Sequence, residues 1–137
     1  MIAMICVDDK GGTMFNHRRQ SKDRVLRAEM LRLAGEHRLK VSPYTARQFE
    51  PEEQAALDVS ENFLAEAGAE DFCFVEEMPL APWEDQIQTL ILFRWNRVYP
   101  ADAHLDIPLA EHGWKLTESR DFAGSSHETI TQEVYIR

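Results

Sequence analysis

Two short apolar segments, residues 1–7 and 89–95, most constrain what this chain can fold into. Residues 1–7 are entirely apolar, and residues 90–93 are four consecutive large apolar side chains. Runs of this length, bounded by polar residues, predict strands rather than helices, and a run as apolar as residues 1–7 predicts burial on both faces. Strands of this kind need helices packed on each side of the sheet, so the chain is expected to alternate strands with helices.

An amphipathic helix is predicted after the polar segment that follows the first strand. Apolar residues recur at helical spacing between residues 25 and 33, and arginines fall largely on the opposite face. Ser21 or Asp23 is the expected N-cap, and Gly35 is the expected C-cap. Further along, the pattern predicts a strand at 38–42, a helical turn at 45–49 capped by Thr45, helices at 50–57 and 60–68, a strand at 72–75, and a hairpin made by 114–120 and 128–136.

The order of predicted elements indicates a single three-layer α/β domain over residues 1–137, with a mainly parallel sheet and an antiparallel C-terminal hairpin. The length of 137 residues and the hydrophobic share of 44% suit one core. No apolar run reaches about 18 residues, so no membrane span is expected. The first residues lack the basic part of a signal peptide, and Cys6 and Cys73 lie in apolar runs that predict buried thiols, which together favour a cytoplasmic protein.

The net charge of −9 conceals an uneven distribution of charge. Residues 10–47 carry ten basic and three acidic side chains, a balance of +7, whereas the rest of the chain carries −16. A basic segment on an acidic protein suggests an anion-facing surface. The alternative is that basic and acidic faces neutralise each other within the fold or across a homodimer. Because the basic region is local and the whole chain is acidic, a nucleic-acid partner is not expected.

Residues 15–23 hold the densest hydrogen-bonding chemistry in the chain. Arg18 and Arg19 could grip an anion, and His17 with Asp23 could act as acid and base. The alternative is that the arginines pair with acidic residues of the chain and that Asp23 only caps the helix. The candidate ligand-binding residues are Asn16, His17, Arg18, Arg19, Gln20, Ser21 and Asp23, together with Tyr44 and Thr45 at the expected C-terminal edge of the sheet.

Several of these stretches resemble the dihydrofolate reductase family. Residues 90–93, Leu-Ile-Leu-Phe, resemble the family's strand that follows its cofactor-binding helix, and residues 106–108, Asp-Ile-Pro, resemble the lead-in to its last hairpin. Trp114 and the hairpin that follows resemble its closing strands, and residues 1–8 resemble its first strand. The resemblance covers nearly the whole chain, and it implies the fold of that family.

The resemblance implies where a site would lie and also where this chain departs from the family. Segment 15–23 falls at the family's mobile active-site loop, and Asp23 falls near its substrate-binding carboxylate. The glycine pair that lets the cofactor's pyrophosphate approach a helix N-terminus is replaced by Glu76 and Glu77, whose carboxylates would repel it. The family's glycine–arginine–x–threonine stretch reads Ser-Pro-Tyr-Thr at 42–45. The resemblance therefore implies that the fold is kept and that ordinary nicotinamide binding is lost.

The opening of the chain is also similar to small bacterial proteins labelled ribonuclease Z. The metal enzymes that bear that name use a histidine–x–histidine–x–aspartate–histidine cluster. Here the five histidines are isolated, and no paired Cys and His spacing predicts a zinc site. A binuclear zinc hydrolase is therefore not indicated, and no metal is expected.

Three functions follow as hypotheses. The first is a protein that has lost NADPH-dependent reductase activity and binds a small anionic ligand, such as a nucleotide, a folate-like acid or a phosphate ester, at residues 15–23. The second is a hydrolase or nuclease that acts on a phosphodiester through His17 and Asp23. The third is an interaction module whose basic segment 10–47 docks onto an acidic surface, including that of a second copy. A true reductase ranks last, and NADPH is the cofactor that it would need; otherwise no cofactor is expected.

Overall fold

The computed structural model describes every residue from Met1 to Arg137. Its strands are β1 (Ile2–Val7), β2 (Gly12–Phe15), β3 (Arg18–Arg19), β4 (Leu39–Val41), β5 (Leu57–Val59), β6 (Phe72–Phe74), β7 (Thr89–Arg94), β8 (Ala103–His104), β9 (Lys115–Phe122) and β10 (Ile130–Ile136). The α-helices are α1 (Arg24–Ala34), α2 (Pro43–Ala46) and α3 (Phe63–Glu66), and 3-10 helices cover Pro51–Ala56 and Ala81–Gln86.

The main sheet has seven strands in the order β5-β4-β6-β1-β7-β10-β9. Strand β1 lies at its centre and pairs in parallel with β6 and β7, whereas β10 is antiparallel to both β7 and β9. The predicted fold class, a mainly parallel α/β sheet with an antiparallel C-terminal hairpin, is confirmed. The parallel strands all end at one edge of the sheet, which is where open sheets of this kind form their crevices.

Strand β1 is buried on both faces because its alternate side chains enter two separate cores. Ala3, Ile5 and Val7 belong to a cluster of 14 buried residues on one face of the sheet. Met4 belongs to a second cluster of 14, which includes Leu26 of helix α1. The apolar character of the first segment is therefore explained by helices and loops that cover both faces.

Helix α1 begins and ends where the sequence predicts. The Asp23 carboxylate accepts hydrogen bonds from the amides of Val25 and Leu26, which are otherwise unpaired at a helix start. Gly35 ends the helix with φ of 59°, a left-handed conformation that glycine adopts without strain. No helix in the fold, α1 included, has the length and apolarity that crossing a membrane requires.

Several short elements differ from the sequence-based expectation. Residues 50–57 form a 3-10 helix that runs into strand β5, rather than an α-helix. Residues 60–68 contain only the four-residue helix α3, whose N-cap is Asn62. The cap of helix α2 is Ser42, which accepts a hydrogen bond from the Thr45 amide. Each of these segments is a few residues long, and isolated helices of that length are not stable, so tertiary contacts select the conformation.

Candidate functional site

Residues 12–19, at the front of the candidate site, form a β-hairpin rather than an open loop. Strand β2 pairs with β3, so that Phe15 lies opposite Arg18 and Met14 lies opposite Arg19. Asn16 and His17 form the two-residue turn with φ of 52° and 62°. Positive φ at both central positions is what type I′ hairpin turns require. The turn leaves His17 exposed at the tip of the hairpin.

Arg19 is held by an internal ion pair at the end of strand β6. Its Nε and Nη2 atoms donate to the two oxygens of Glu76 at 3.0 and 3.1 Å. Its guanidinium lies 4.4 Å from the centre of the Tyr44 ring, and its backbone amide donates to the Tyr44 hydroxyl at 2.8 Å. Burial opposes the charge of Arg19, but the hydrogen bond and the charge of Glu76 outweigh it and raise the pKa of Arg19. Arg19 therefore fastens the hairpin to helix α2 and to the end of β6.

A groove of about 620 Å³ lies where the hairpin, helix α2 and the β9–β10 turn meet. Arg18 and Lys22 are exposed in it, and neither side chain has a carboxylate oxygen within 4.0 Å. Two cations without acidic partners make this groove attractive to an anion. The lining residues are Arg18, Arg19, Ser21, Lys22, Tyr44 and Ser126.

Four of the other eight basic side chains of the 10–47 segment are neutralised within the fold, and Lys10, Arg24, Arg38 and Arg47 have no carboxylate oxygen within 4.0 Å. Arg32 pairs with Glu29 at 2.7 Å, and Lys40 pairs with Asp58 at 2.8 Å. Arg27 lies 3.8 Å from Glu53, and Arg19 pairs with Glu76 as described above. The expectation of internal neutralisation is thus confirmed for these four residues, whereas the groove keeps the unpaired Arg18 and Lys22.

The Asp23 carboxylate lies beneath the groove and is completely covered. Besides the two helix amides, it accepts the backbone amides of Ser125 at 3.0 Å and Ser126 at 2.8 Å, and it lies 3.1 Å from Nδ1 of His127. Its side chain is 0% exposed. Burial alone would raise the pKa of Asp23, but the hydrogen bonds from these amides and from His127 outweigh it and hold that pKa well below its usual range.

His127 connects Asp23 to the groove. Its Nε2 atom lies 3.2 Å from the Ser21 hydroxyl and 2.9 Å from the Tyr99 hydroxyl. Its ring stacks on Trp95, with 4.4 Å between ring centres and an interplanar angle of 24°. The imidazole is 2% exposed, so its orientation is fixed by neighbours on every side.

Glu76 and Glu77 follow strand β6 and are both bound by side chains of the β4–α2 region. Glu76 accepts from Gln48 Nε2 at 3.0 Å in addition to Arg19. The Ser42 hydroxyl lies 2.8 and 3.0 Å from the two oxygens of Glu77, and 3.3 Å from the Thr45 hydroxyl. The donor groups of Arg19, Ser42 and Gln48 at this edge of the sheet are therefore already bonded to the two carboxylates.

The structure brings together some of the sequence-predicted site residues and separates others. Arg18, Arg19, Ser21 and Tyr44 all line the groove. Asn16 and Gln20 line a second cavity of about 370 Å³, which Arg18 and Arg19 also line. The remaining candidates lie elsewhere: Thr45 is 0% exposed, His17 stands at the hairpin tip, and Asp23 is covered.

Sequence reasoning missed four residues of this region, Lys22, Tyr99, Ser126 and His127. Lys22 lies inside the segment that was singled out, so its charge was visible. Residues 124–126 were interpreted only as a turn, and His127 was one of five isolated histidines. Nothing local links His127 to Ser21, because 106 positions separate them.

Comparisons with known proteins support the fold. No family model matches the chain, and no curated protein matches it by sequence. Among solved structures, dihydrofolate reductase from Enterococcus faecalis, complexed with NADP(H) and RAB-propyl, superposes with a TM-score of 0.68 at 11% sequence identity. The match covers 99% of this chain and 95% of that one. The chain therefore has a dihydrofolate reductase-like fold.

Proposed function

We propose that this protein binds a small anionic ligand in the groove beside the hairpin and has lost NADPH-dependent reductase activity. The class of ligand is a nucleotide, a folate-like acid or a phosphate ester. The observation that carries the proposal is that two exposed cations without acidic partners, Arg18 and Lys22, line the same groove. Charge-assisted hydrogen bonds from such groups are the strong ones in anion recognition.

The neighbouring residues suit an anion that carries a planar group. Tyr44 lines the groove and already stacks beneath one guanidinium. The Ser21 hydroxyl lies in the same wall, whereas the Ser126 hydroxyl donates to the carbonyl oxygen of Lys22 at 2.8 Å. In this proposal Asp23 does not touch the ligand, because protein donors already bind both of its oxygens. Its role is to hold Ser125, Ser126 and His127 in place beside the groove.

Loss of the nicotinamide cofactor is inferred from the carboxylates that follow strand β6. The comparison structure holds NADP(H), whose pyrophosphate would meet negative charge here. Glu76 accepts from Arg19 and Gln48, and the exposed Glu77 accepts from Ser42. These residues do not fit a pyrophosphate, and we derive no reduction step for this chain.

Thermal-shift and calorimetric titrations with inorganic phosphate, adenosine monophosphate, folate and NADPH test the proposal. A ligand at one hundred times its dissociation constant stabilises a protein by about 2.7 kcal/mol. We expect stabilisation by at least one of the first three compounds, and we expect any stabilisation by NADPH to be lost in the variant Arg18→Ala with Lys22→Ala. Stabilisation by NADPH that survives in that variant would contradict the inferred loss of the cofactor site.

The double variant Arg18→Ala with Lys22→Ala assigns the binding to the groove. We expect it to weaken binding at least tenfold, which corresponds to about 1.4 kcal/mol. The matched control is Arg38→Ala with Lys115→Ala, which removes the same charge from exposed positions outside the groove. Equal weakening in both double variants would indicate a general charge effect and would remove support for the groove.

A further inference from the structure

Ser21, His127 and Asp23 form a chain of hydrogen-bonding groups at the wall of the groove. The Ser21 hydroxyl lies 3.2 Å from Nε2 of His127, and Nδ1 of the same ring lies 3.1 Å from Oδ2 of Asp23. A hydroxyl within hydrogen-bond reach of a base, with that base oriented by a third group, is the arrangement that activates a nucleophile. This pairing differs from that of His17 with Asp23, because His17 lies at the exposed hairpin tip.

The protein contacts select the tautomer that a base requires. Asp23 is ionised under the hydrogen bonds that it accepts, so it also accepts a hydrogen bond from the N–H group at Nδ1 of His127. This fixes the tautomer with its lone pair on Nε2, facing Ser21. Stacking on Trp95 holds the ring in that orientation. A buried, ionised carboxylate that fixes the imidazole in this way plays the orienting role known from hydrolytic triads.

Of the three side chains, only that of Ser21 can be reached from the groove, as a nucleophile requires. The side chains of His127 and Asp23 are 2% and 0% exposed, whereas Ser21 is partly exposed and lines the groove. The base and its orienting carboxylate are therefore kept from water, and the hydroxyl remains open to a molecule in the groove. The cations Arg18 and Lys22 line the same groove.

Tyr99 competes with Ser21 for the same nitrogen. Its hydroxyl lies 2.9 Å from Nε2 of His127, compared with 3.2 Å for Ser21. Nε2 has one lone pair, so a hydrogen bond donated by the Tyr99 hydroxyl makes Nε2 a weaker acceptor for the Ser21 proton. Removal of the Tyr99 hydroxyl should therefore make Ser21 more reactive, which a purely structural network would not show.

We propose that Ser21 is a nucleophile toward carboxylic esters that carry a negatively charged group, with His127 as general base and Asp23 as a positioning residue. The part of the inference that concerns the charged group rests on the proposed function of the groove. The bond formed is between Ser21 Oγ and the ester carbonyl carbon, and the Ser21 proton passes to Nε2. The ester C–O bond then breaks, and the alcohol leaves with that proton.

The second half of the reaction releases the acid. Water adds to the acyl carbon while its proton passes to Nε2 of His127. The bond from that carbon to Ser21 Oγ breaks, and the proton returns to Oγ. The sum is hydrolysis of one ester by one water, with no oxidant, reductant or metal required.

The test is covalent labelling of the intact protein with phenylmethanesulfonyl fluoride, followed by peptide mass spectrometry. We expect one adduct at Ser21, absent in Ser21→Ala and unchanged in Ser60→Ala, a similarly part-exposed serine with no imidazole contact. Loss of the general base in His127→Gln should slow labelling at least 100-fold. Absence of an adduct at Ser21, or equal rates in wild type and His127→Gln, would overturn the proposal.

Two further variants separate chemistry from folding. Tyr99→Phe keeps the ring that packs beside His127 and should increase the labelling rate several-fold, whereas a decrease would contradict the assigned competition. Asp23→Asn keeps a residue that caps helices well, and it should lower the maximal inactivation rate while leaving the reagent concentration for half-maximal rate unchanged. A change in that concentration alone would contradict the positioning role.

The reagent also separates this inference from the proposed function. Phenylmethanesulfonyl fluoride is uncharged, so it reaches Ser21 whether or not the groove binds anions. Hydrolysis of the 4-nitrophenyl monoester of succinic acid then tests the charged-substrate preference. We expect Arg18→Ala with Lys22→Ala to lower kcat/KM for this ester at least tenfold more than the control double variant Arg38→Ala with Lys115→Ala does. Equal losses in the two double variants would refute the substrate class assigned here.

Discussion

The Nδ1 atom of His127 lies 3.1 Å from Oδ2 of Asp23, although 104 positions separate the two residues in the chain. The contact ties the start of helix α1 to the turn between strands β9 and β10. The amides of Ser125 and Ser126 join the same carboxylate. One side chain therefore caps a helix, orders a turn and orients an imidazole at the wall of the basic groove.

The acid stability of the protein should depend on Asp23. Its folded-state pKa lies below the unfolded value of about 3.9, so the stabilisation is present above that pH and is lost as pH falls toward the folded pKa. One proton gives a slope of up to about 1.4 kcal/mol per pH unit. Urea unfolding from pH 7 to pH 2 should show a shallower fall in stability below pH 4 for Asp23→Asn than for wild type.

The comparison for that slope is Asp9→Asn, which removes one negative charge from an exposed turn. Asp8 also has a lowered pKa, because hydrogen bonds from Gly12, Lys10 and Tyr99 outweigh the opposing effect of burial, so a residual slope is expected in every variant. If Asp23→Asn and wild type lose stability in parallel below pH 4, the Asp23 network does not stabilise the fold.

Gly124 should not tolerate a side chain. A Cβ atom there would clash with Oδ2 of Asp23 and would lie 2.9 Å from the carbonyl oxygen of His127. We expect Gly124→Ala to lower the free energy of unfolding by about 1–3 kcal/mol, the range for inserting atoms into a packed site. Gly68→Ala is the control, since its Cβ would make an ordinary 3.5 Å contact with Asp71. Equal effects in guanidinium unfolding would contradict the packing described for the β9–β10 turn.

Removal of Glu76 from its ion pair with Arg19 should cost far more stability than removal of one partner of a surface pair. Glu76 has a side chain only 8% exposed, and Arg19 only 21%. Glu76→Ala leaves a half-buried guanidinium without its partner, and breaking a buried pair costs about 3 kcal/mol at the lower end of the known range. Asp85→Ala, which removes a 92% exposed partner of Arg137, should cost at most about 1 kcal/mol. Chemical denaturation measures both, and similar costs would contradict a structural role for Glu76.

The two cysteines should be unreactive in the folded protein. Burial raises the pKa of the Cys73 thiol to about 12, and burial together with nearby negative charge raises that of Cys6. Because the thiolate is the reactive species, the native protein should react very slowly with a disulfide reagent at pH 8. Both thiols should react in 6 M guanidinium, which serves as the positive control. Cys73 is buried as predicted, whereas Cys6 is only partly buried. Rapid reaction of two thiols per chain without denaturant would contradict the raised pKa of both.

Much of the fold was predictable because local patterns carry it. The apolar segments at 1–7 and 89–95 became the central strands β1 and β7, and the alternating residues near the C-terminus became the β9–β10 hairpin. The N-cap Asp23 and the C-cap Gly35 were also identified, since capping depends on one side chain and its nearest amides.

Short elements were not predictable in the same way. Strands β2, β3, β5 and β8 have two to four residues each, too few to show a period. Each forms because a partner strand supplies its hydrogen bonds, and that partner cannot be identified from the residues of the strand itself. The 3-10 helices and the shortened α3 follow the same rule, because packing outweighs weak helix propensity.

The candidate site, like the fold, was predictable only where local sequence was sufficient. The sequence by itself determined that a dense polar segment at 15–23 would stand beside the sheet and that two acidic residues would follow β6. Tertiary structure decided which charges remain free, because Arg19 meets Glu76 across 57 positions whereas Arg18 meets no acid. It also decided that Ser21 faces His127. Contacts between distant segments depend on the three-dimensional path of the whole chain, and no local spacing encodes them.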